Sequence, residues 1–498
     1  MNILYLYSDT ASAALPAGLS GHALAASRLG DAAALHEREH FSLLLSCGAF
    51  AAKAAQTLRK NLGLPAASLV TADDRPGLRR LGRRKLDAWL CTDDALADNL
   101  LCAGADPYRV LRCAGISELG TLCERVLRRA ARPKGRDGVL ICGAYGKHNG
   151  GDNAILSAIV SQLRELDPDL PICALSRRPR ETARSAGIRS IFIFNLWKSA
   201  RYLRTTRLYL SGGGTLMQDA TSTRSLLFYL LSLRQAKRAG CRTMLYGCGI
   251  GPLLRERNRR RVGRTLNSCA EVIAVRDRYS EDFLRFLGVS LPLIRLTADP
   301  ALRITPPEAD EAWLRTCGLE PGKRYALIAL RPWDGFAAHI DDFAAAADHL
   351  YTAHGCIPVL YALEPERDEP ALQSVAARIR VPYLSLRSGG YDLRELALVG
   401  RMSVVLSMRL HALVFAAGQN VPLVGVVYDP KVSSFLDYLG CGGYLSLHDV
   451  STDTLFRLID EAIDRTPDET GYRRLRELAG ENSRLAAELL KDTQTRKT

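Results

Sequence analysis

The sequence predicts an α/β protein built on parallel β-sheets. Apolar runs of strand length alternate with amphipathic helical patterns along almost the whole chain, as in GVLICGAYG followed by DNAILSAIVSQLREL. RLYLSGGG followed by SLLFYLLSLRQAKRAG is a second example. A strand, a helix and a second strand running in the same direction form a βαβ unit, so repeated alternation predicts parallel sheets. A length of 498 residues allows about three such lobes.

Stretches rich in proline and glycine divide this alternation. RRAARPKGRDG at 128–138 and LTADPALRITPPEADEA at 296–312 have the composition of connections. We therefore expect an N-terminal lobe at 1–132, a middle lobe at 137–305 and a third lobe at 306–465. Residues 466–498 are charged and show a helical pattern, which predicts a C-terminal helix packed on a lobe, followed by a tail.

The composition excludes several classes of protein. The thirteen cysteines include no Cys-x-x-Cys pair, which argues against a disulfide framework and a zinc site and for a reducing compartment. The start MNILYLYSDT lacks the features of a signal peptide, and no apolar run is long enough to span a bilayer. We therefore expect a cytoplasmic protein.

The net charge of +14 is compatible with phosphorylated substrates, an anionic membrane surface or nucleic acid. No zinc-finger spacing or aromatic-interleaved basic strand supports nucleic acid, so none is expected as a partner. Six arginines at 255–264 could dock peripherally on anionic lipid at the inner face of the membrane, although such runs are usually solvated helix faces.

The motif GAYGKHNGGDNAIL begins at the end of a predicted strand. Its glycines permit a tight loop, and Asp152 stands at the predicted helix start, where a carboxylate can cap free backbone N–H groups. Helix N-termini also bind phosphate. The spacing is neither that of a dinucleotide-binding motif nor that of a P-loop. An ordinary strand–turn–helix joint is therefore the alternative.

The motif YLSGGGTLMQDATSTRS places three glycines directly after a strand. Glycine lets the backbone approach a ligand closely and exposes its N–H donors. The polar residues that follow, among them Asp219 and Ser222, can hydrogen-bond sugar hydroxyls. Ligands of open α/β sheets bind at the carboxyl ends of strands, which favours ligand contact here. The alternative is a capping loop with Thr221 or Ser222 as the N-cap.

Three cationic positions follow strands of the third lobe. Arg331 comes directly after YALIAL and is available to a carboxylate or phosphate. Ser407 is expected to cap a helix MRLHALVFAAG, with Arg409 and His411 in the first turn, where the helix dipole lowers the pKa of a histidine. Asp429 is expected to be an N-cap, with Pro430 and Lys431 following.

These three positions together predict an anion site with an acid/base group beside it. The alternatives are a surface ion pair at Arg331, a buried and satisfied histidine, and two solvated cations.

At these motifs the sequence resembles the polysaccharide pyruvyl transferases of the CsaB type, over about 137–465. The resemblance is carried, in order, by GAYGKHNGGDNAIL, LSGGGTLMQDATSTRSLLFYL, MLYGCGIGPL, VRDRYS, RPW and MRLHALVFAAGQNVPLVGVVYDPKVSSFLDYLG. One departure is that the family's Gly-Asp-Glu is Gly151, Asp152 and Asn153 here. A catalytic role for that glutamate would therefore have no counterpart in this chain.

The resemblance implies two Rossmann-like lobes in a GT-B-like arrangement, with an extra α/β lobe at the N-terminus. It implies phosphoenolpyruvate as donor, a hexose as acceptor and a cyclic pyruvate ketal as product. In CsaB-type enzymes the acceptor is a lipid-linked ManNAc-GlcNAc disaccharide, and the pyruvylated wall polymer anchors S-layer proteins. The N-terminal segment KLDAWLCTDDALADNLLCAGADPYRVLRCAGIS is similar to part of a GT-B glycosyltransferase lobe, so 1–132 is interpreted as a degenerate accessory lobe.

With these substrates implied by the resemblance, we assign roles to residues because a doubly anionic donor needs dense positive charge and an acid/base group. The middle lobe is the acceptor side and the third lobe the phosphoenolpyruvate side. The donor is bound by Arg331, Arg409 and Lys431, and the catalytic set is His411, Arg409 and Lys431. The acceptor is held by Asn149, Asp152, Gly212, Gly213, Gly214, Asp219 and Ser222. No cofactor and no metal are expected. The alternatives are a nucleotide-sugar-dependent GT-B glycosyltransferase and a non-catalytic scaffold.

Overall fold

The computed structural model confirms an α/β fold with three parallel sheets. It describes residues 1–8, 14–71, 74, 78, 82, 84–113, 115–132, 135–147, 149–220, 222–306, 311–389, 393–440, 443–465 and 469–491. The strand pairs recorded for each sheet are parallel, as the alternation of strands and helices predicts.

The first sheet has the strand order β2-β1-β3-β4-β5-β6. Successive residues of β1 belong to different core clusters, because side chains alternate across a strand: Leu4 and Leu6 lie in one cluster, Ile3 and Tyr5 in the other. Both faces of this sheet are therefore covered. The strands are β1 (Ile3–Tyr7), β2 (Gly21–Ala25), β3 (Leu43–Cys47), β4 (Ala66–Val70), β5 (Ala88–Cys91) and β6 (Val110–Arg112), and the helices are α1 (Ala32–Glu39), α2 (Ala49–Leu62), α3 (Asp94–Cys102) and α4 (Leu119–Ala130).

The second sheet has the order β13-β12-β11-β10-β7-β8-β9. Its strands are β7 (Val139–Cys142), β8 (Ile172–Ser176), β9 (Arg189–Phe192), β10 (Leu208–Gly212), β11 (Arg242–Cys248), β12 (Val272–Val275) and β13 (Leu293–Leu296). The helices are α5 (Gly150–Leu166), α6 (Pro179–Ala186), α7 (Leu196–Leu203), α8 (Thr223–Arg238), α9 (Glu256–Cys269) and α10 (Arg278–Phe286).

The third sheet has the order β16-β15-β14-β17-β18-β19. A core of Val, Leu, Ile, Ala and Phe side chains from its central strands and from three flanking helices fills one face. Its strands are β14 (Arg324–Ala329), β15 (Cys356–Ala362), β16 (Leu384–Arg387), β17 (Met402–Ser407), β18 (Leu423–Val427) and β19 (Gly443–Ser446). The helices are α11 (Glu311–Thr316), α12 (Ile340–Thr352), α13 (Pro365–Ala376), α14 (Arg394–Val399), α15 (Leu410–Gly418), α16 (Pro430–Leu439) and α17 (Thr452–Asp464).

The chain forms two compact units. One contains residues 1–137, 169–173 and 179–190, and the other contains 138–168, 174–178 and 191–498. The third sheet and the central strands of the second sheet therefore belong to one unit. The lobe limits expected from the proline-rich connections stay predictions.

A last helix, α18 (Glu469–Lys491), returns from the third sheet to the second, where it contacts α5, β10 and β11. Asn482 of this helix is fully buried and donates from Nδ2 to the Ala298 carbonyl at 3.0 Å. The tail expected after this helix lies outside the described residues. None of the helices in the described ranges combines the length and hydrophobicity that crossing a bilayer requires.

Candidate active site

The sequence motifs fall at the points where the strand order of two sheets reverses. In the second sheet, β7 and β10 are neighbours and lead into the two glycine-containing motifs. In the third sheet, β14 and β17 are neighbours and lead into Arg331 and Arg409. The carboxyl ends of strands at such reversals form the crevice where open α/β sheets bind ligands.

The start of α5 is capped by Asn149 and not by Asp152. Asn149 Oδ1 accepts from the backbone N–H groups of Gly151 at 3.0 Å and Asp152 at 3.4 Å. The expected cap at Asp152 is therefore wrong, because the helix begins two residues earlier and places Asp152 inside its first turn. The carboxyl of Asp152 is left for other contacts, and desolvation raises its pKa to about 6.

The three glycines after β10 meet the start of α5. Gly213 and Gly214 have φ of 65° and 67°, which glycine adopts without strain. A methyl group at Gly213 would lie 1.9 Å from Ile155, and one at Gly214 would lie 3.0 Å from Asp152 Oδ1. The Gly212 carbonyl accepts from the Tyr145 hydroxyl at 2.7 Å. The two glycine motifs are therefore packed against each other.

Asp219 and Ser222 hold the loop that follows. The buried carboxylate of Asp219 accepts from the backbone N–H groups of Leu254 and Arg255 and from Asn258 Nδ2. Ser222 is the N-cap of α8 and accepts from the Ser225 N–H at 3.3 Å. Both side chains therefore have structural partners, which was the alternative interpretation of this motif, and Thr221 lies outside the described residues.

The helix after β17 begins later than expected. Ser407 is the last residue of the strand, and its hydroxyl accepts from the Arg409 N–H and donates to the Ala329 carbonyl. Helix α15 starts at Leu410, and Arg409 occupies the N-cap position without a side-chain capping bond. The expected Ser407 cap is wrong, while His411 does lie in the first turn.

Arg409 is buried against two carboxylates that no local pattern indicates. Its Nη2 donates to Glu364 Oε2 at 3.2 Å, and its Nε lies 3.4 Å from Asp368 Oδ2. Asp368 is fully buried, its Oδ1 has no hydrogen-bond partner among the described residues, and burial raises its pKa. Arg409 therefore neutralises a buried acidic pair in addition to any contact with a ligand.

His411 lies against the start of α5. A methyl group at Gly151 would be 2.2 Å from His411 Nδ1, so only glycine leaves room for the ring. His411 Nε2 is buried and has no hydrogen-bond partner among the described residues. Burial lowers its pKa to about 4; the carboxylate of Asp299 opposes this shift, and the positive charges of Arg276, Arg409 and Lys431 add to it. The direction of this shift agrees with the expectation, but its largest cause is burial and not the helix dipole.

A buried arginine from the second sheet, Arg276, belongs to the same neighbourhood. It directly follows β12, and its Nη1 donates to Asp299 at 2.8 Å while its Nη2 donates to Thr215 at 3.2 Å. Its charge also acts on both Asp152 and His411. The sequence signal that could have identified Arg276 is its position after the apolar strand VIAV, which matches that of Arg331 after YALIAL.

Arg331 and Lys431 meet around one tyrosine. Arg331 Nη1 donates to the Tyr428 hydroxyl at 3.3 Å, and its guanidinium lies 5.5 Å from the Tyr428 and Trp333 ring centres. Lys431 Nζ lies 5.8 Å from the Tyr428 ring and donates to Asp429 Oδ2 at 2.9 Å. Asp429 is the N-cap of α16 and Pro430 its first residue, as predicted. Arg331 Nε is buried and has no partner in the described part of the chain.

The sequence model of the polysaccharide pyruvyl transferase family matches residues 149–430, more than half of the chain. The chain belongs to the polysaccharide pyruvyl transferase family. The matched range begins at the Asn149 cap and ends one residue before Lys431. It includes Asp152, the three glycines, Arg331 and His411. A comparison with curated proteins found no match.

Solved structures support the fold of this pyruvyl transferase family member. A UDP-GlcNAc 2-epimerase from Methanocaldococcus jannaschii superimposes with a TM-score of 0.51 at 11% identity, covering 70% of this chain and 99% of that one. A protein described as a UDP-N-acetylglucosamine 2-epimerase from Listeria monocytogenes gives a TM-score of 0.50 at 12% identity, covering 70% and 96%. At these identities the likeness shows the fold alone, and it confirms the expected GT-B-like arrangement of Rossmann-like sheets.

The structure of this pyruvyl transferase brings two parts of its predicted site together. Asp152 and the glycines of the second sheet meet His411 of the third, through the contact between Gly151 and the imidazole. The Gly150 N–H also donates to the Leu363 carbonyl at 3.3 Å. Asp219 instead faces the connection to α9, while Ser222 caps α8, and their predicted contact with a ligand stays a prediction.

Proposed function

We propose that this chain transfers the pyruvyl group of phosphoenolpyruvate to two hydroxyls of a hexose, forming a cyclic ketal. The observation that carries the proposal is the buried His411 Nε2, which has no partner among the described residues and is influenced by three cations, Arg276, Arg409 and Lys431, as well as by the Asp299 carboxylate. Phosphoenolpyruvate is an anion at both its carboxylate and its phosphate. Its site therefore needs dense positive charge beside an acid/base group.

The donor is assigned to Arg331, Arg409 and Lys431, with Arg276 adding charge from the second sheet. Arg331 is suited to the carboxylate or the phosphate because its Nε is buried without a partner among the described residues, so that a ligand oxygen would satisfy it. Lys431 is suited to the departing phosphate, since an ammonium stabilises charge that develops on a leaving group. Arg409 is catalytic through its positive charge, which Glu364 and Asp368 partly offset.

The reaction proceeds by two additions at C2 of the donor. Protonation of the C3 methylene gives a methyl group and an oxocarbenium-like C2. The first sugar hydroxyl adds to C2 and loses its proton, and the C2–O bond to phosphate then breaks, with the phosphate leaving as its monoprotonated anion. The second hydroxyl adds to C2, loses its proton and closes the ketal. His411 is neutral near pH 7 and accepts or returns these protons.

The acceptor is assigned to the second-sheet side. The backbone of Gly212, Gly213 and Gly214 and the side chains of Asn149 and Asp152 would contact the sugar, with Asp219 and Ser222 at the edge of the loop. Asp152, whose pKa lies near 6, holds a proton part of the time near neutral pH and can exchange it with a hydroxyl. We propose ManNAc of a lipid-linked disaccharide as the acceptor, in cell-wall polymer synthesis and S-layer anchoring at the cytoplasmic face of a membrane.

The test combines the full chain with phosphoenolpyruvate and a ManNAc-containing aryl- or lipid-linked acceptor. We expect phosphate release together with the mass gain of a pyruvate ketal. His411→Ala should lower kcat by about 10²–10⁴-fold, because proton transfer is lost, while KM for phosphoenolpyruvate changes far less. His22→Ala replaces a more exposed histidine of the first unit and should leave both parameters unchanged.

Two outcomes would contradict the proposal. Full activity in His411→Ala would remove the acid/base assignment. Thermal stabilisation by UDP- or GDP-sugars, with none by phosphoenolpyruvate, would replace the pyruvyl donor by a nucleotide sugar.

A further inference from the structure

The second sheet carries an exposed aromatic and aliphatic patch. Trp197, in the first turn of α7, is 90% exposed, which is unusual for a tryptophan in a folded protein. Further large apolar side chains around it are exposed. We call this set the apolar patch: Phe192, Phe194, Leu196, Trp197, Leu227 and Leu231.

Ring contacts and a crevice connect α7, α8 and the segment before α7 at this patch. The Phe194 ring lies 5.7 Å from the rings of Phe192 and Phe228, in edge-to-face geometry. Leu196 and Leu231 line one shallow crevice between the two helices. An exposed surface of this kind, with several large side chains in contact, normally marks a binding surface.

Cations that have no acidic partner among the described residues border the patch. Lys198, Arg201 and Arg204 are exposed, and Trp197, Arg201 and Arg204 are spaced so that they share one face of α7. The Arg177 guanidinium lies 5.3 Å from the centre of the Phe194 ring. Between Glu181 and Glu256 the sequence holds twelve lysines and arginines against one acidic residue, Asp219, and four of the twelve pair with carboxylates outside this range.

We propose that this patch docks the protein on an anionic lipid bilayer. Tryptophan and phenylalanine bury their rings at the boundary between head groups and acyl chains, while neighbouring lysines and arginines attract anionic head groups. The long stems of Lys198 and Arg201 allow their charges to stay at the head groups while Trp197 enters the boundary.

The charge and composition of the patch favour a lipid bilayer over two other binding partners, a second copy of the chain and a single-stranded nucleic acid. A second copy of the chain would bring a patch of the same sign, so its cations would repel those of the first. A single-stranded nucleic acid would use the aromatic rings and the cations but would leave Leu196, Leu227 and Leu231 exposed. The bilayer uses both the aliphatic and the charged parts of the surface. The inference does not depend on the pyruvyl transfer reaction, because it concerns a surface and no donor chemistry.

The patch also shares helix α8 with the candidate acceptor loop. Phe194 packs on Phe228 of α8, and the N-cap of that helix, Ser222, ends the loop that follows the three glycines. It differs from the basic stretch at 255–264, in which Arg259 and Arg260 are paired with Glu256.

The experiment is co-sedimentation of the full chain with phosphatidylcholine vesicles prepared with and without phosphatidylglycerol. We expect binding to the anionic vesicles that weakens with added salt. Trp197→Ser should weaken it on the order of tenfold. Lys198→Gln and Arg201→Gln should each weaken it about fivefold, on anionic vesicles only.

Control variants keep the test independent of folding. Leu291→Ser replaces another strongly exposed side chain, 77% exposed and outside the patch, and should leave binding unchanged. Trp197→Phe should keep most of the binding. It should lose the blue shift of tryptophan fluorescence that we expect when Trp197 of the unmodified chain enters the lipid. Unchanged thermal unfolding of the Trp197 variants is expected because this side chain packs against little.

Any of three results would overturn the proposal. One is the absence of binding to anionic vesicles. The second is equal weakening by Leu291→Ser and Trp197→Ser. The third is Trp197-dependent self-association, or binding to poly-uridylate, in a protein that does not bind vesicles.

Discussion

Two ionisable residues of the candidate site, Asp152 and His411, have pKa values shifted towards each other by burial. Desolvation raises the pKa of Asp152 to about 6 and lowers that of His411 to about 4. Both shifts favour the neutral form, and both destabilise the native state whenever the unfolded chain would carry the charge. The pKa of the carboxyl group therefore lies above that of the imidazole, the reverse of their ordinary order. A neutral imidazole and a partly protonated carboxyl group then coexist near neutral pH, and such a pair suits proton exchange with a hydroxyl.

Replacing Asp152 by Asn should therefore stabilise the protein above neutral pH. The carboxyl group binds its proton more tightly in the native chain than in the unfolded chain. The loss of folding stability that Asp152 causes therefore grows as pH rises from about 4 to 6, and it is complete above pH 6. At about pH 8 we expect Asp152→Asn to raise the free energy of unfolding by up to about 3 kcal/mol. At about pH 4 the difference should vanish. Urea unfolding at both pH values measures it.

The titration of His411 does not disturb this comparison, since it is common to both proteins. Asp282→Asn is the matched control, because this aspartate is largely exposed and its removal should change stability by less than about 0.5 kcal/mol at either pH. If Asp152→Asn changed the free energy of unfolding by the same amount at both pH values, the carboxyl group would not be buried as described.

At the same scale, the sequence predicted which cations follow strands but not which acids they meet. Arg409 and its partner Glu364 are 45 residues apart and come from different strand–helix units. Nothing local to either residue indicates this pair, because parallel strands bring distant segments together only through the sheet order. The helix starts at Gly150 and Leu410 were missed for a related reason. Several residues could begin each helix, and the end of the preceding strand decides which one does.

The critical element of the site is the first turn of α5, which meets the third-sheet side. The Gly150 N–H donates to the Leu363 carbonyl, and Gly151 lies against the imidazole of His411. Helix N-termini attract anions, and here the helix start also fixes the position of the candidate base.

Gly151→Ala should displace His411 and lower activity while the protein stays folded. An added methyl group would lie 2.2 Å from His411 Nδ1, and the ring must move because α5 is held by its own hydrogen bonds. A displacement of about 1 Å in a catalytic group can cost about 100-fold in rate. The kcat of ketal formation, measured beside the thermal midpoint, checks this expectation.

Gly120→Ala in α4 is the matched control. Its added methyl group would meet only Leu19 at 4.0 Å, and alanine favours the helix by up to about 1 kcal/mol. This variant should keep full activity. Unchanged kcat in Gly151→Ala as well would mean that the imidazole has room to move without losing its role.

At the scale of the whole molecule, the alternation of strands and helices was sufficient to predict parallel α/β sheets, because no other arrangement buries both faces of such strands. The order of the strands was not predictable in the same way. β7 and β10 are neighbours although β8 and β9 lie between them in sequence. Only this reversal shows that the two glycine motifs share one crevice. The return of the last helix to the second sheet is likewise a long-range choice that no local pattern reveals.

Asn482 holds this last helix on the second sheet. Replacing Asn482 should therefore lower the stability of the unit that contains residues 191–498. The fully buried amide donates from Nδ2 to the Ala298 and Ala479 carbonyls and accepts at Oδ1 from the Thr297 hydroxyl, 185 residues away. In Asn482→Ala the Ala298 carbonyl loses this donor and a small cavity remains, which together cost about 3 kcal/mol. We expect the thermal midpoint to fall by several degrees.

Arg484→Ala is the control, because Arg484 lies one half-turn further along the helix and is largely exposed. It should change the thermal midpoint little. Equal midpoints for the two variants would show that α18 is held by its apolar face alone.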